Sequence, residues 1–144
     1  MRFDSTGRCV MQTRRLADGR AVVAPDGSQI HELVAVARGS MVHCTLPKGG
    51  ASMAVVHATV DEMWYFLAGT GQVWRKQDGA ESVVDVEPGV ALTIERGTHF
   101  QFRNTGDEDL RFVLVTMPPW PGGHEARRVP DHWPLRSAAA ASEE

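Results

Sequence analysis

The 144 residues include six histidines and eighteen acidic side chains, but few of these lie inside strand-like apolar runs that would hold them still. Glu62 is one that does. It opens the run Glu62-Met63-Trp64-Tyr65-Phe66-Leu67-Ala68, where alternation gives Glu62 the same face as Trp64, Phe66 and Ala68. A carboxylate on an apolar face is costly to bury alone. Glu62 therefore needs a partner: a metal, a nearby base or a bound ligand. His57 is the nearby base, on the face that also carries Met53, Val55 and Thr59. Imidazole titrates near neutral pH, and a His–Glu pair in a barrel mouth is where perturbed acid–base groups are expected. The spacing predicts the two on adjacent strands joined by a short loop.

Weaker candidates surround this pair. His43 lies in Met41-Val42-His43-Cys44-Thr45-Leu46. With Val42, Cys44 and Leu46 on the packed side, His43 and Thr45 either line a pocket or meet solvent. Trp64 and Phe66 serve as barrel core, or as substrate platform if they lie near a mouth. His31-Glu32 reads as a solvated pair, and His124 and His132 have no neighbours at metal-ligand spacing. Gly69-Thr70-Gly71 is a turn and lacks the Lys-Ser/Thr of a phosphate loop. No serine sits in a nucleophile elbow. Cys9 and Cys44 lack CxxC spacing, and Cys44 reads as a small buried hydrophobe.

Composition narrows the class. One domain holds about 100–150 residues, so one fold is expected. The chain is 42% hydrophobic and 23% charged, with a net charge of −3. It has the core material of a globular protein and no basic excess for nucleic acid. No apolar stretch approaches the roughly 20 residues of a spanning helix. The first fifteen residues lack the apolar run of a signal peptide. Two isolated thiols fit a reducing cytoplasm.

Short apolar runs recur between Ile30 and Met117, separated by turn signals such as Pro47-Lys48-Gly49-Gly50, Asp78-Gly79 and Arg96-Gly97. This pattern predicts about eight to ten antiparallel strands in a sandwich or barrel, with almost no helix. Residues 1–27 read as an arm or short edge strand, 28–117 as the barrel, and 118–144 as an extension. Prolines 118, 119 and 121 bar the extension from a central strand. Trp120 and Trp133 are expected to anchor it over the barrel rather than to bind ligand. Residues 137–144 are expected to form a frayed tail or short helix.

The glycine frame resembles that of the cupin superfamily. The first cupin motif is matched in spacing by Gly49, five residues, Val55-Val56-His57, four residues, Glu62, six residues and Gly69. Val55 stands where the family has its first histidine. In the second motif Gly89, Gly97 and Asn104 fit, Glu95 replaces a proline, and Phe100 holds the histidine's place, with His99 one residue early.

The resemblance implies an all-β double-stranded β-helix, or jelly-roll barrel, that pairs into a homodimer. It also implies a pocket for a small polar molecule, lined by His43, Trp64, Phe66, Phe100 and Phe102. Family members use a divalent metal such as Zn, Fe, Mn or Ni. Here His57 and Glu62 would be ligands, joined by His99 if a bulge after Gly97 turns it inward. In simple alternation Phe100, Phe102 and Asn104 share the face opposite His99, and the family resemblance implies that theirs is the inner one. His57 and Glu62 are the expected catalytic residues, with or without metal. The implied reactions are of isomerase, cyclase or oxygenase type. The alternative is a non-catalytic binder of a sugar or carboxylate with little or no metal.

Overall fold

The structure, a computed structural model, describes residues 11–135. Its strands are β1 (Ala21–Val23), β2 (Gln29–Val36), β3 (Gly39–Leu46), β4 (Val55–His57), β5 (Asp61–Ala68), β6 (Gly71–Gln77), β7 (Ala80–Val86), β8 (Ala91–Ile94), β9 (His99–Asn104), β10 (Leu110–Met117) and β11 (Ala126–Arg128). The described residues contain no helix beyond two three-residue 3-10 turns, and none long and apolar enough to cross a membrane.

Two antiparallel sheets face each other. One has the order β1-β2-β3-β10-β5-β8 and the other β11-β4-β9-β6-β7. The arm thus supplies an edge strand, β1, and the C-terminal extension supplies another, β11. Proline keeps the segment between β10 and β11 out of the sheet interiors. At the β6–β7 turn, Asp78 and Gly79 both take positive φ, 50° and 82°, which suits a tight two-residue hairpin. Gly69 also takes positive φ, 81°, and a Cβ there would in addition lie 2.5 Å from the Asp109 carbonyl oxygen.

Period-two alternation fills the barrel. Glu62, Trp64 and Phe66 point inward from β5, and Leu110, Phe112, Leu114 and Thr116 from β10. Trp64 stacks on Phe112 with ring centroids 4.5 Å apart. Phe66 and Phe102 close on Phe112 at 4.8 and 5.4 Å. Each fully buried phenylalanine contributes about 2–3 kcal/mol. This aromatic block fills one end of the barrel and leaves the other open.

The last described stretch straps the outer face of β9. Gln101 is fully buried beneath it. Its amide donates to the carbonyls of Ser52 and Trp133 and accepts from the backbone N–H groups of His132 and Trp133. Arg103 lies 4.4 Å from the Trp133 ring centre, so Trp133 anchors the strap as expected. The tail segment 137–144 lies outside the described residues.

Candidate active site in the barrel

The open end encloses a cavity of about 600 Å³, within the usual range for small-molecule sites. Val55, His57, Glu62 and Trp64 all line it, as the shared face predicts. Their placement differs from the expectation in one respect. His57 and Glu62 lie on opposite sheets, because residues 58–60 carry the chain from β4 across to β5. The two therefore face each other over the cavity rather than side by side.

The crossing is clamped from outside. Glu125, buried in the C-terminal extension, accepts hydrogen bonds from the Thr59 backbone N–H and hydroxyl and from the Val60 N–H. Burial pushes its carboxyl up, but these bonds outweigh that and hold it below the usual range. The next residue, Ala126, pairs with His57 across β11 and β4.

Glu62 does not bond to His57. Trp64 Nε1 donates to Glu62 Oε1 at 2.9 Å and Thr116 Oγ1 donates to Oε2 at 3.0 Å. Burial pushes the Glu62 carboxyl up to about 7, against those two bonds and with the charge of Asp26 adding to the rise. His57 is 5% exposed and packs edge-on against Phe100 and Trp120 at 5.0 and 5.1 Å. Its Nδ1 has no hydrogen-bond partner among the described residues. Burial pulls its pKa down to about 4, opposed by the negative charge of Glu125. At neutral pH His57 is uncharged and Glu62 is poised between its two states.

Three residues expected at the pocket lie elsewhere. His99 is half-buried beside Val56 and Lys76 and does not line the cavity. β9 starts at His99 without an inward bulge, so alternation gives the inner face to Phe100 and Phe102. His43 lies on the outer face of the six-stranded sheet, because its neighbours Val42 and Cys44 take the cavity side. It is buried against His31, 6.5 Å between ring centres. Phe66 lies below the cavity in the aromatic block, with no exposure. Two other readings also change. His31 and Glu32 are not a pair, since His31 contacts His43 and Glu32 reaches the cavity rim. Trp120 is a cavity wall as well as an anchor.

The structure adds a residue that the sequence did not single out. The Pro25-Asp26-Gly27-Ser28 turn between β1 and β2 folds over the cavity, where Asp26 and Ser28 join its lining. Asp26 Oδ1 accepts from the Ser28 N–H at 3.0 Å and the Ser28 hydroxyl at 2.6 Å. Burial pushes the Asp26 carboxyl up against these bonds. Residues 25–28 are legible as a turn from their types alone, but no local pattern says that the turn reaches the barrel interior.

The side chains present do not fit the metal centre of an intact motif. Val55 and Phe100 occupy two histidine places, both Glu62 oxygens already accept hydrogen bonds, and His99 is off the cavity. Among the described residues no three His, Cys, Asp or Glu side chains converge to hold an ion.

Comparisons with known proteins agree with this architecture. A search by sequence among curated proteins finds no match. The protein BH2720 from Bacillus halodurans superposes with a TM-score of 0.59 at 24% identity, over 65% of this chain and 74% of that one. An oxalate decarboxylase from Lactobacillus farciminis, in complex with formate, superposes at 0.67 and 20% identity, over 88% of this chain and 39% of that one. Streptomyces Pac13, described as a nucleoside dehydratase, superposes at 0.66 and 11% identity, over 83% and 92%. At these identities the likeness is one of fold. The cupin domain model matches residues 42–116, the stretch that carries His57, Glu62 and both glycine frames, and the chain belongs to the cupin family.

Proposed function

We propose that this cupin takes a small organic molecule into its barrel and moves a proton on it, with Glu62 as the acid–base group. One observation carries the reading. A carboxyl held by Trp64 and Thr116 on two strands faces a cavity of about 600 Å³, and its burial there pushes its pKa up to about 7. A general acid or base works best when its pKa lies near the operating pH. Fixed donors on both oxygens also set the direction of its remaining lone pairs. Neutral His57 faces it from the other sheet and forms part of the cavity wall. Trp120 and Phe100 restrict water on the His57 side.

Such a site suits the isomerase and cyclase branches of the family's chemistry, where a proton leaves one ligand atom and returns to another. The dehydratase activity given for Pac13 is of related character, on the same fold. The test starts from ligands found by thermal shift, each then incubated with the protein in D₂O. Wild type should incorporate deuterium at carbon or convert the ligand, and Glu62→Gln should lower that rate about 100-fold or more while retaining binding. Ligands that bind but neither exchange nor convert would leave a binding protein, the alternative reading. An unchanged rate in Glu62→Gln would remove Glu62 from the chemistry.

A further inference from the structure

The hydrogen-bonding groups around the cavity are unevenly used. Three side-chain donors at its wall are already engaged: the Ser28 hydroxyl by Asp26, the Thr116 hydroxyl and the Trp64 indole by Glu62. The Trp120 indole N–H and the Ser40 hydroxyl have no acceptor among the described residues, and acceptor capacity also stays free. Asp26 Oδ2 has no partner among the described residues, while Oδ1 holds both Ser28 bonds. His57 Nδ1 is buried and unpartnered on a side chain that lines the cavity. Each Glu62 oxygen keeps a lone pair.

Charge is uneven in the same sense. Two carboxyl groups, Asp26 and Glu62, share the cavity, and the charge of Asp26 raises the Glu62 carboxyl further. The basic side chains lining it are Arg14 and Arg20, both exposed, and the Arg14 guanidinium is tied to the carbonyls of Leu33 and Asp18. A buried carboxylate without a counter-charge is costly. A ligand carboxylate or phosphate would add to that cost.

We propose that the cavity is a site for an organic ammonium ion with an apolar body, with the free oxygen of Asp26 as its counter-charge and specificity determinant. An ammonium group has three donors and no acceptor, which complements the carboxyl oxygens of Asp26 and Glu62. The aromatic rings of Trp64, Phe100 and Trp120 give the body an apolar wall. The inference rests on the cavity being the ligand site proposed above and adds the charge class of its ligand. It disfavours a carboxylate ligand.

Three probes with one body and three charges test it: phenethylamine, 2-phenylethanol and phenylacetate, titrated calorimetrically at pH 8, where Glu62 is ionised. Phenethylamine should bind about tenfold or more tightly than 2-phenylethanol, and phenylacetate least. Asp26→Asn should reduce the ratio of phenethylamine to 2-phenylethanol affinity about tenfold or more, with thermal melting used to confirm the fold. Equal or tighter binding of the alcohol or the acid to wild type would overturn the ammonium assignment and leave the cavity as a ligand site. A preference unchanged in folded Asp26→Asn would overturn the role of Asp26. Failure of all three to bind wild type would overturn both the ammonium assignment and the cavity's use.

Discussion

Glu62 and Thr116 are partners across β5 and β10, and the Thr116 hydroxyl donates to Glu62 Oε2 at 3.0 Å. Glu62 is thus fixed by a strand more than fifty residues further along the chain, with the Trp64 indole on its other oxygen. Its proton is set by burial and by this pairing, and His57 on the facing sheet is set by burial in the opposite sense.

The pair predicts a compensated pH dependence. Glu62 has its folded pKa raised from 4.5 to about 7. Its contribution to stability is full below pH 4.5 and is lost as pH rises through 7, a swing of about 3 kcal/mol. His57 has its folded pKa lowered from 6.5 to about 4. Its contribution is full above pH 6.5 and is lost as pH falls through 4, a swing of similar size. Between pH 4.5 and 6.5 the two slopes oppose each other. Relative to wild type, Glu62→Gln should gain stability as pH rises across that window, and His57→Gln should gain as pH falls. Urea unfolding at several pH values measures both slopes. Parallel curves for wild type and Glu62→Gln would show that Glu62 titrates normally.

Trp120 closes one side of the cavity, 5.1 Å from the His57 ring. Trp120→Ala should weaken ligand binding by about 1–2 kcal/mol through lost apolar contact. It should also raise the pKa of His57 as water reaches the ring. NMR titration of the imidazole reads the second effect, and a pKa unchanged from wild type would separate Trp120 from the desolvation of His57.

Gln101 holds the C-terminal strap with two donated and two accepted hydrogen bonds, all to backbone groups. Gln101→Leu keeps the size but leaves those groups unpaired, so a loss on the order of 2–4 kcal/mol is expected. Protease cleavage near Trp133 should appear before global unfolding. Cleavage that waits for global unfolding would mean that other contacts hold the strap.

The outer face of the six-stranded sheet is expected to meet a second copy of the chain. Met63 and Tyr65 on β5 are about half exposed, and across the sheet their partners include Val115 and Val113 of β10. An exposed apolar sheet face of this kind suits a partner surface. Sedimentation at micromolar concentration should give twice the chain mass, and Tyr65→Glu should shift it toward monomer. A wild-type monomer would refute the pairing.

The sequence by itself determined the strands and the inner face of β5. Glu62 and Trp64 point inward because a strand has a side-chain period of two, which can be counted along the residues. The same counting puts Phe100 and Phe102 on the face opposite His99, but it did not by itself say which of the two faces is the inner one. Tertiary structure decided the rest. Whether His57 stands beside Glu62 or opposite it depended on where the 58–60 turn delivers the chain, and alternation is the same for either sheet. For His43, membership of a strand was legible. Its outward side followed from which flank of β3 the other sheet covers. Asp26 and Trp120 lie in irregular segments with no period to read. They reach the cavity only because β1 and β11 pair at the sheet edges and draw the adjoining loops over the open end of the barrel.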